Sequence, residues 1–283
     1  MKNITLNNGV EMPIMGYGVY QIPDHEECRR CVLDALDVGY RSIDTAASYQ
    51  NEEAVGEAIQ ESVVDREDIF VTSKLWISGA GYENTKKAVD VSLNKLQTDY
   101  MDLYLIHQPF GDVHGSWRAM EELYQEGLIK AIGVANFHPD RVMDLIVNNE
   151  VVPAVNQIET HPFYQRREDQ QFLEENEVQH ESWAPFAEGK NDTFNNELLV
   201  SIGEKYDKSA AQVVLRWLIQ RGVVVIPKTV HKARMKENFN VFDFELSVGD
   251  MESIQRLDTG ESQFFNHRDP EMIKWFAERL EED

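Results

Sequence analysis

The sequence predicts a (β/α)8 TIM barrel with an N-terminal β-hairpin and a C-terminal loop and helix extension over the barrel. Two observations carry that expectation. Short apolar runs alternate with segments of helical periodicity eight times, the pattern of parallel strands joined by crossover helices. Polar, chemically capable residues stand where several of those runs end, at Asp44, Lys74 and His107. In such a barrel these ends lie on the face that carries active sites.

The elements follow in order. Residues 4–13 read as two short strands about Asn8-Gly9, a strong two-residue hairpin signal, and are expected to plug the bottom of the barrel. IMGYGVYQI supplies the first barrel strand, ending near residues 18–20, and apolar residues at helical spacing place a helix over 26–38 that Gly39 ends. Strand and helix then recur in pairs at 41–44 and 51–61, 69–74 and 82–96, 101–106 and 116–126, 129–134 and 139–148. The series continues at 154–158 and 168–175, 179–183 and 209–220, and 223–226 and 232–238. No repeat, low-complexity tract or linker interrupts it, so residues 1–283 are expected to form one domain. The single long insertion, 184–208, lies at the catalytic face and reads either as a mobile cover over a cofactor or as plain loop. A helical stretch near 248–257 leads into SQFFNHRDPEMIKWFAERL, whose Phe264, Phe265, Trp275 and Phe276 are too apolar for disorder.

Composition narrows the function. Lys plus Arg is 27 and Asp plus Glu is 50, a formal charge of −23, which opposes nucleic acid and anionic membranes as partners because both need clustered cations. The only cysteines, Cys28 and Cys31, form one CxxC within a helical pattern. No second CxxC accompanies it, so two ordinary thiols are expected rather than a redox pair or half a zinc site, and no metal is expected elsewhere. The amino terminus lacks an apolar signal core and no 18-residue apolar run occurs, so a cytoplasmic protein is expected.

The stretch around Asp44 gathers the chemistry. Asp44 and Lys74 close adjacent strands, Tyr49 reaches in from the first loop, and His107 closes the next strand. Each alone has an ordinary reading: a strand-end ion pair, half-buried packing, a structural histidine. Together they suit proton transfer. A phenol, with an ordinary pKa near about 10, is a poor acid at neutral pH. An ammonium beside it stabilises phenolate, and a carboxylate behind the ammonium holds that charge in place. Lys74 and Asp44 fit those two tasks, with His107 orienting a carbonyl oxygen. Nothing in the set supplies a hydride, so a cofactor is required. No G-x-G-x-x-G follows a strand, which argues against a Rossmann crevice. Residues 228–236, KTVHKARMK, hold four formal cations without one acid and open a helix after the eighth strand, where barrels of this class tend to bind phosphate.

DTAxxYxNE at 44–52, TSKLW at 72–76 and LIHQP at 105–109 resemble the aldo-keto reductases, and the likeness extends through IGVANF at 132–137, NQIExHP at 156–162 and IPKT at 226–229. With WAPFAEG at 183–189, the chain looks most like the bacterial branch of 2,5-diketogluconate, glyoxal and methylglyoxal reductases. The resemblance implies NADPH-dependent reduction of aldehydes or ketones, with Tyr49 as general acid, Lys74 lowering its pKa, Asp44 bracing Lys74 and His107 orienting substrate. It assigns Asn136 and Gln157 to the NADPH carboxamide, Trp183 to stacking on the nicotinamide, Lys228, Thr229 and Arg234 to the 2′-phosphate, and Glu237 and Asn238 to the adenine. Three positions depart from the family: Ala135 replaces a usual Ser, Gln108 a common Trp, and His231 a more usual Arg or Thr. Tyr20, Trp76 and Phe110, closed by Phe264 and Phe265, would form a pocket suited to small aldehydes and dicarbonyls, with keto sugar acids as further candidates. A monomer with a small-molecule carbonyl substrate is expected. Two other classes stand beside this reading. One is a catalytically silent NADP-binding regulator or scaffold on the same barrel. The other is a barrel hydrolase with paired carboxylates, for which only Asp44 is convincingly placed.

Overall fold

The computed structural model describes residues 2–278. Strands β1 (Asn3–Thr5) and β2 (Glu11–Pro13) pair antiparallel with Ile4 opposite Met12, and Gly9 turns between them at φ 85°. Then come β3 (Tyr17–Gly18), β4 (Ser42–Asp44), β5 (Phe70–Leu75), β6 (Leu103–Ile106), β7 (Ile132–Ala135), β8 (Val155–Glu159), β9 (Gln179–Trp183) and β10 (Val224–Val225). These eight are parallel and adjacent in sequence order. A parallel bridge between Met15 and Val225 joins the two ends of the sheet, with Gly16 N donating to Val225 O at 2.8 Å and Val225 N to Ile14 O at 3.1 Å. The fold is the expected (β/α)8 barrel.

Strand periodicity explains why the runs are apolar on both faces. In β6, Leu103 and Leu105 face the barrel interior, while Tyr104 and Ile106 join the larger core between sheet and helices. The interior cluster includes Leu6 and Met12 of the hairpin with Phe70, Leu103, Leu105, Ala135 and Val224, so the hairpin does plug the barrel. Eleven helices are described: α1 (His25–Val38), α2 (Glu52–Glu61), α3 (Tyr82–Leu96), α4 (Val113–Gln125), α5 (Pro139–Asn148), α6 (Arg167–Glu175), α7 (Glu197–Glu204), α8 (Ala210–Gln220), α9 (Lys232–Phe239), α10 (Val248–Gln255) and α11 (Pro270–Glu278). In α1, Asp24 Oδ1 accepts from Glu27 N at the start and Gly39, at φ 119°, ends the helix. Cys28 and Cys31 are free thiols buried on its inner face; burial pushes Cys28 up to about 12 and raises Cys31 as well, so neither is poised to react.

The insertion is not plain loop. Its second half contains α7, capped by Asn196 Oδ1 and buried through Leu199 and Ile202, so the longer stretch of loop lies before it. That loop is tied down. Lys190 Nζ donates to Gln263 O at 2.6 Å and Asn191 Nδ2 to Gln263 Oε1 at 2.7 Å, which joins it to the carboxyl-terminal segment. The same segment is anchored to the barrel by Glu159, which accepts from Ser262 Oγ at 2.5 Å and Gln263 N at 2.8 Å and lies 2.9 Å from His161 Nε2. Arg279 and Leu280, the end of the apolar tail noted in the sequence, lie outside the described residues. Among the described residues, no helix is long and apolar enough to cross a membrane.

Gly133 lets β7 approach β8. A Cβ there would stand 2.6 Å from Val155 O and 2.8 Å from Leu105 Cδ2. Gly133→Ala is therefore expected to cost about 1–3 kcal/mol through overpacking. Urea unfolding measures it, and an unchanged midpoint would show that the strands part more easily than the packing implies.

Candidate active site

Lys74 is the buried centre of the rim. In β5 it lies in register with Leu105 of β6, and Thr72, two residues earlier on the same face, pairs with Asp44 of β4. Its side chain is 0% exposed, and Nζ donates to Asp44 Oδ1 at 2.6 Å, Thr45 O at 2.9 Å and the Tyr49 hydroxyl at 3.4 Å. All three ammonium donors are thereby used. Burial disfavours the charge on Lys74, but Asp44 and Tyr49 outweigh it and hold the amine above its ordinary pKa. Asp44 Oδ2 accepts from Gln157 Nε2 at 2.9 Å, and the same amide nitrogen donates to Glu181 Oε2 at 3.0 Å.

Tyr49 ends a single turn, Ala47–Tyr49, that follows β4. Asn51 clamps this loop: its Oδ1 accepts from Thr45 Oγ1 at 2.7 Å and its Nδ2 donates to Val19 O at 3.0 Å and Ile22 O at 3.2 Å. Burial pushes the Tyr49 phenol up to about 12, with Lys74 pulling against it. The net displacement is thus upward, a correction to the expectation of a lowered pKa, because desolvation exceeds the ammonium's attraction. His107 closes β6, its ring 5.6 Å from that of Tyr49 and its Nδ1 3.4 Å from Ser48 Oγ. Burial, then Lys74 and His267, drive its pKa well below the ordinary imidazole value. His107 is therefore neutral at pH 7, with one ring N–H to donate.

The cofactor candidates divide into two groups. Asn136 and Gln157 contact the tetrad, and Trp183 reaches it through Asn136: Asn136, at φ 66°, donates from Nδ2 to His107 O at 2.9 Å and accepts from Trp183 Nε1 at 2.8 Å. Ala135 is buried in the interior cluster and offers no hydroxyl beside them. The second group follows β10. Lys228 and Arg234 are exposed. Thr229 holds the turn, since Tyr17 donates to its carbonyl at 2.7 Å and its Oγ1 accepts from His231 N at 3.3 Å. Lys232 is bridged to Asp34 at 2.9 Å and Asp37 at 2.7 Å, so one of the four cations counted in 228–236 is neutralised by α1. Glu237 accepts from Ser209 Oγ at 2.5 Å, and Asn238 is buried.

Tyr20, Trp76 and Phe110 gather on the other side. Tyr20 lies 4.9 Å from the Tyr49 ring and Trp76 5.3 Å from His107. Phe276 of α11 joins them, 6.0 Å from Trp76 and 5.5 Å from Phe110, and Phe265 packs on Phe276 at 5.6 Å. Phe264 instead packs on Trp183 at 5.2 Å beneath Lys190, so the two neighbouring phenylalanines serve different sides of the rim. Gln108 is buried with Oε1 unpartnered. Sequence reasoning missed Glu181, Glu159 and Ser48. The available signal for Glu181 was the run His180-Glu181-Ser182, three polar residues inside a central strand.

The aldo/keto reductase family model matches residues 14–259. The glyoxal reductase of Bacillus subtilis (strain 168) is 47% identical over 259 residues, 91% of this chain and 93% of the relative. The methylglyoxal reductase DkgA of Escherichia coli (strain K12) is 44% identical over 260 residues, 91% of this chain and 94% of its own. Among solved structures, an aldo-keto reductase from a Medee basin deep-sea metagenome library superposes with TM-score 0.92 at 43% identity, covering 94% of this chain and 98% of that one. A Bombyx mori aldo-keto reductase in complex with NADP gives TM-score 0.89 at 32% identity, with 96% of each chain covered.

Two acids, Asp44 and Glu181, face the one ammonium of Lys74 in this buried cluster. Lys74→Met leaves Asp44 without its ion pair and is expected to cost about 3–5 kcal/mol of stability, measured by chemical denaturation. A loss below about 1 kcal/mol, the scale of an exposed pair, would contradict that.

Proposed function

The chain belongs to the aldo/keto reductase family, and on that premise we propose that it reduces aldehydes or ketones to alcohols with NADPH, using Asp44, Tyr49, Lys74 and His107 as its catalytic set. The observation that carries this reading is Lys74 Nζ held between Asp44 Oδ1 at 2.6 Å and the Tyr49 hydroxyl at 3.4 Å. Because Lys74 donates to the phenol oxygen, the phenol's own hydrogen is free to be given away. The same ammonium then stabilises the phenolate left behind. His107, neutral, donates a hydrogen bond to the carbonyl oxygen and fixes its direction towards Tyr49. NADPH, when bound, supplies the hydride.

The residues present fit that cofactor. Gln157 has both amide hydrogens committed to the carboxyl groups of Asp44 and Glu181, which leaves its oxygen to accept from a carboxamide, and Asn136 and Trp183 stand beside it. Lys228, Thr229 and Arg234 would hold the 2′-phosphate, with two cations sufficing in place of the four counted. Glu237 and Asn238 remain the candidates for the adenine end. Tyr20, Trp76 and Phe110 would line the substrate pocket, and Phe265 and Phe276 would close it. The likeness to glyoxal and methylglyoxal reductases supports small aldehydes and dicarbonyls as substrates. A single-domain monomer over 1–283, working in the cytoplasm on a small-molecule carbonyl and without a nucleic acid or membrane partner, completes the reading. Its charge of −23 supports the last clause. Sedimentation at the mass of one chain tests the monomer.

NADPH consumption across methylglyoxal, an aromatic aldehyde, a keto sugar acid and a steroid ketone is expected to favour the first. A clear steroid preference would refute the pocket assignment, and binding without turnover would mark a cofactor-holding scaffold. Arg234→Ala is expected to raise the NADPH dissociation constant about ten- to a hundredfold while leaving NADH within about threefold, read by fluorescence titration. Equal losses for both cofactors would make Arg234 structural.

A further inference from the structure

Three ionisable groups share a buried space beneath the rim. Asp44 is 2% exposed, Glu181 1% and Lys74 0%, and among them stand two acids and one cation. Ionising both acids would leave one uncompensated negative charge out of water, which is costly. Asp44 lies 2.6 Å from the ammonium and is its ion-pair partner. The polar contact of Glu181 is the neutral Gln157 amide at 3.0 Å, and Val224, its register partner on β10, brings no charge. The proton therefore belongs on Glu181. Burial and then Asp44 push its carboxyl up to about 8, against the opposing pull of Gln157 and Lys74.

We propose that Glu181 is a positioning residue: as a neutral acid it fixes the Gln157 amide with its oxygen left for the cofactor, and its ionisation sets an upper pH limit on the reaction. The amide orientation follows from chemistry. Only the NH2 end can bridge two carboxyl groups, so Asp44 and Glu181 together dictate which end of Gln157 is free. When Glu181 loses its proton, a second buried anion faces Lys74. That anion opposes formation of phenolate at Tyr49, making the phenol a poorer donor, so carbonyl reduction falls as pH rises through the Glu181 ionisation. The acid thus acts through Gln157 and Lys74 and touches no reacting atom.

This inference rests on the reductase reading for its kinetic half, and the test separates the two. Infrared difference spectra of the cofactor-free wild-type chain are expected to show a protonated-carboxyl band that disappears with a midpoint near the value of about 8 given by its surroundings. Glu181→Gln, which keeps an acceptor for Gln157 but cannot ionise, should lack that band. Reduction by the wild type should decline through the same midpoint, and the decline should vanish in Glu181→Gln. Glu181→Leu, which removes the acceptor, should bind NADPH at least about tenfold more weakly than Glu181→Gln by fluorescence titration at pH 7. Identical pH profiles for wild type and Glu181→Gln, or a Glu181 band already absent at pH 7, would overturn the proposal. If the wild type reduces no carbonyl, the functional reading fails, while the infrared band and the NADPH titrations still judge Glu181.

Discussion

The structure turns on the ammonium of Lys74, held out of water between a carboxylate and a phenol. Such a charge survives burial only where its partners are rigid, because a displaced acceptor leaves the desolvation cost unmet. Each partner here is set by backbone. Asp44 ends β4, Thr45 O follows it, and the β4–β5 register aligns Asp44 with Thr72, two residues before Lys74. Tyr49, on a loop, is the exception, and Asn51 supplies the missing rigidity by tying that loop to Val19 and Ile22. Barrel closure, loop clamp and ion pair therefore depend on one another.

The periphery repeats this logic with acids in place of the amine. Glu159 closes β8 and holds Ser262 and Gln263, and Gln263 in turn holds Lys190 and Asn191. The loop before α7 and the carboxyl-terminal segment are thus fastened to one strand end. Phe264 is directed to Trp183 and Phe265 to Phe276 as a result, placing aromatic surface on both sides of Tyr49 and His107.

Much of this was legible from the sequence because strands buried on both faces, Asn-Gly turns and polar strand ends are local signals. Asp44, Tyr49, Lys74 and His107 meet as their spacing implies, since a parallel register converts sequence position directly into a shared rim. Other features depend on distant partners. Lys232 counts among the four cations of 228–236 in the sequence, but Asp34 and Asp37 of α1 neutralise it. Glu159 and Glu181 were hidden among 50 acids, nearly all of which a sequence reader assigns to the surface. Helix α7 was hidden because it lies within the insertion, after an irregular turn at Ala187–Asp192, with no strand directly before it to mark a strand–helix unit. The upward displacement of the Tyr49 phenol was not legible either, since it depends on how deeply the rim is buried.

The central claim is that Tyr49, braced by Lys74, gives the proton. Tyr49→Phe keeps the ring against Tyr20 and His107 and removes the hydroxyl alone. Measured together on the full chain, its NADPH dissociation constant should stay within about threefold of wild type while methylglyoxal turnover falls about a hundredfold or more. Turnover near the wild-type rate with NADPH binding intact would contradict the account.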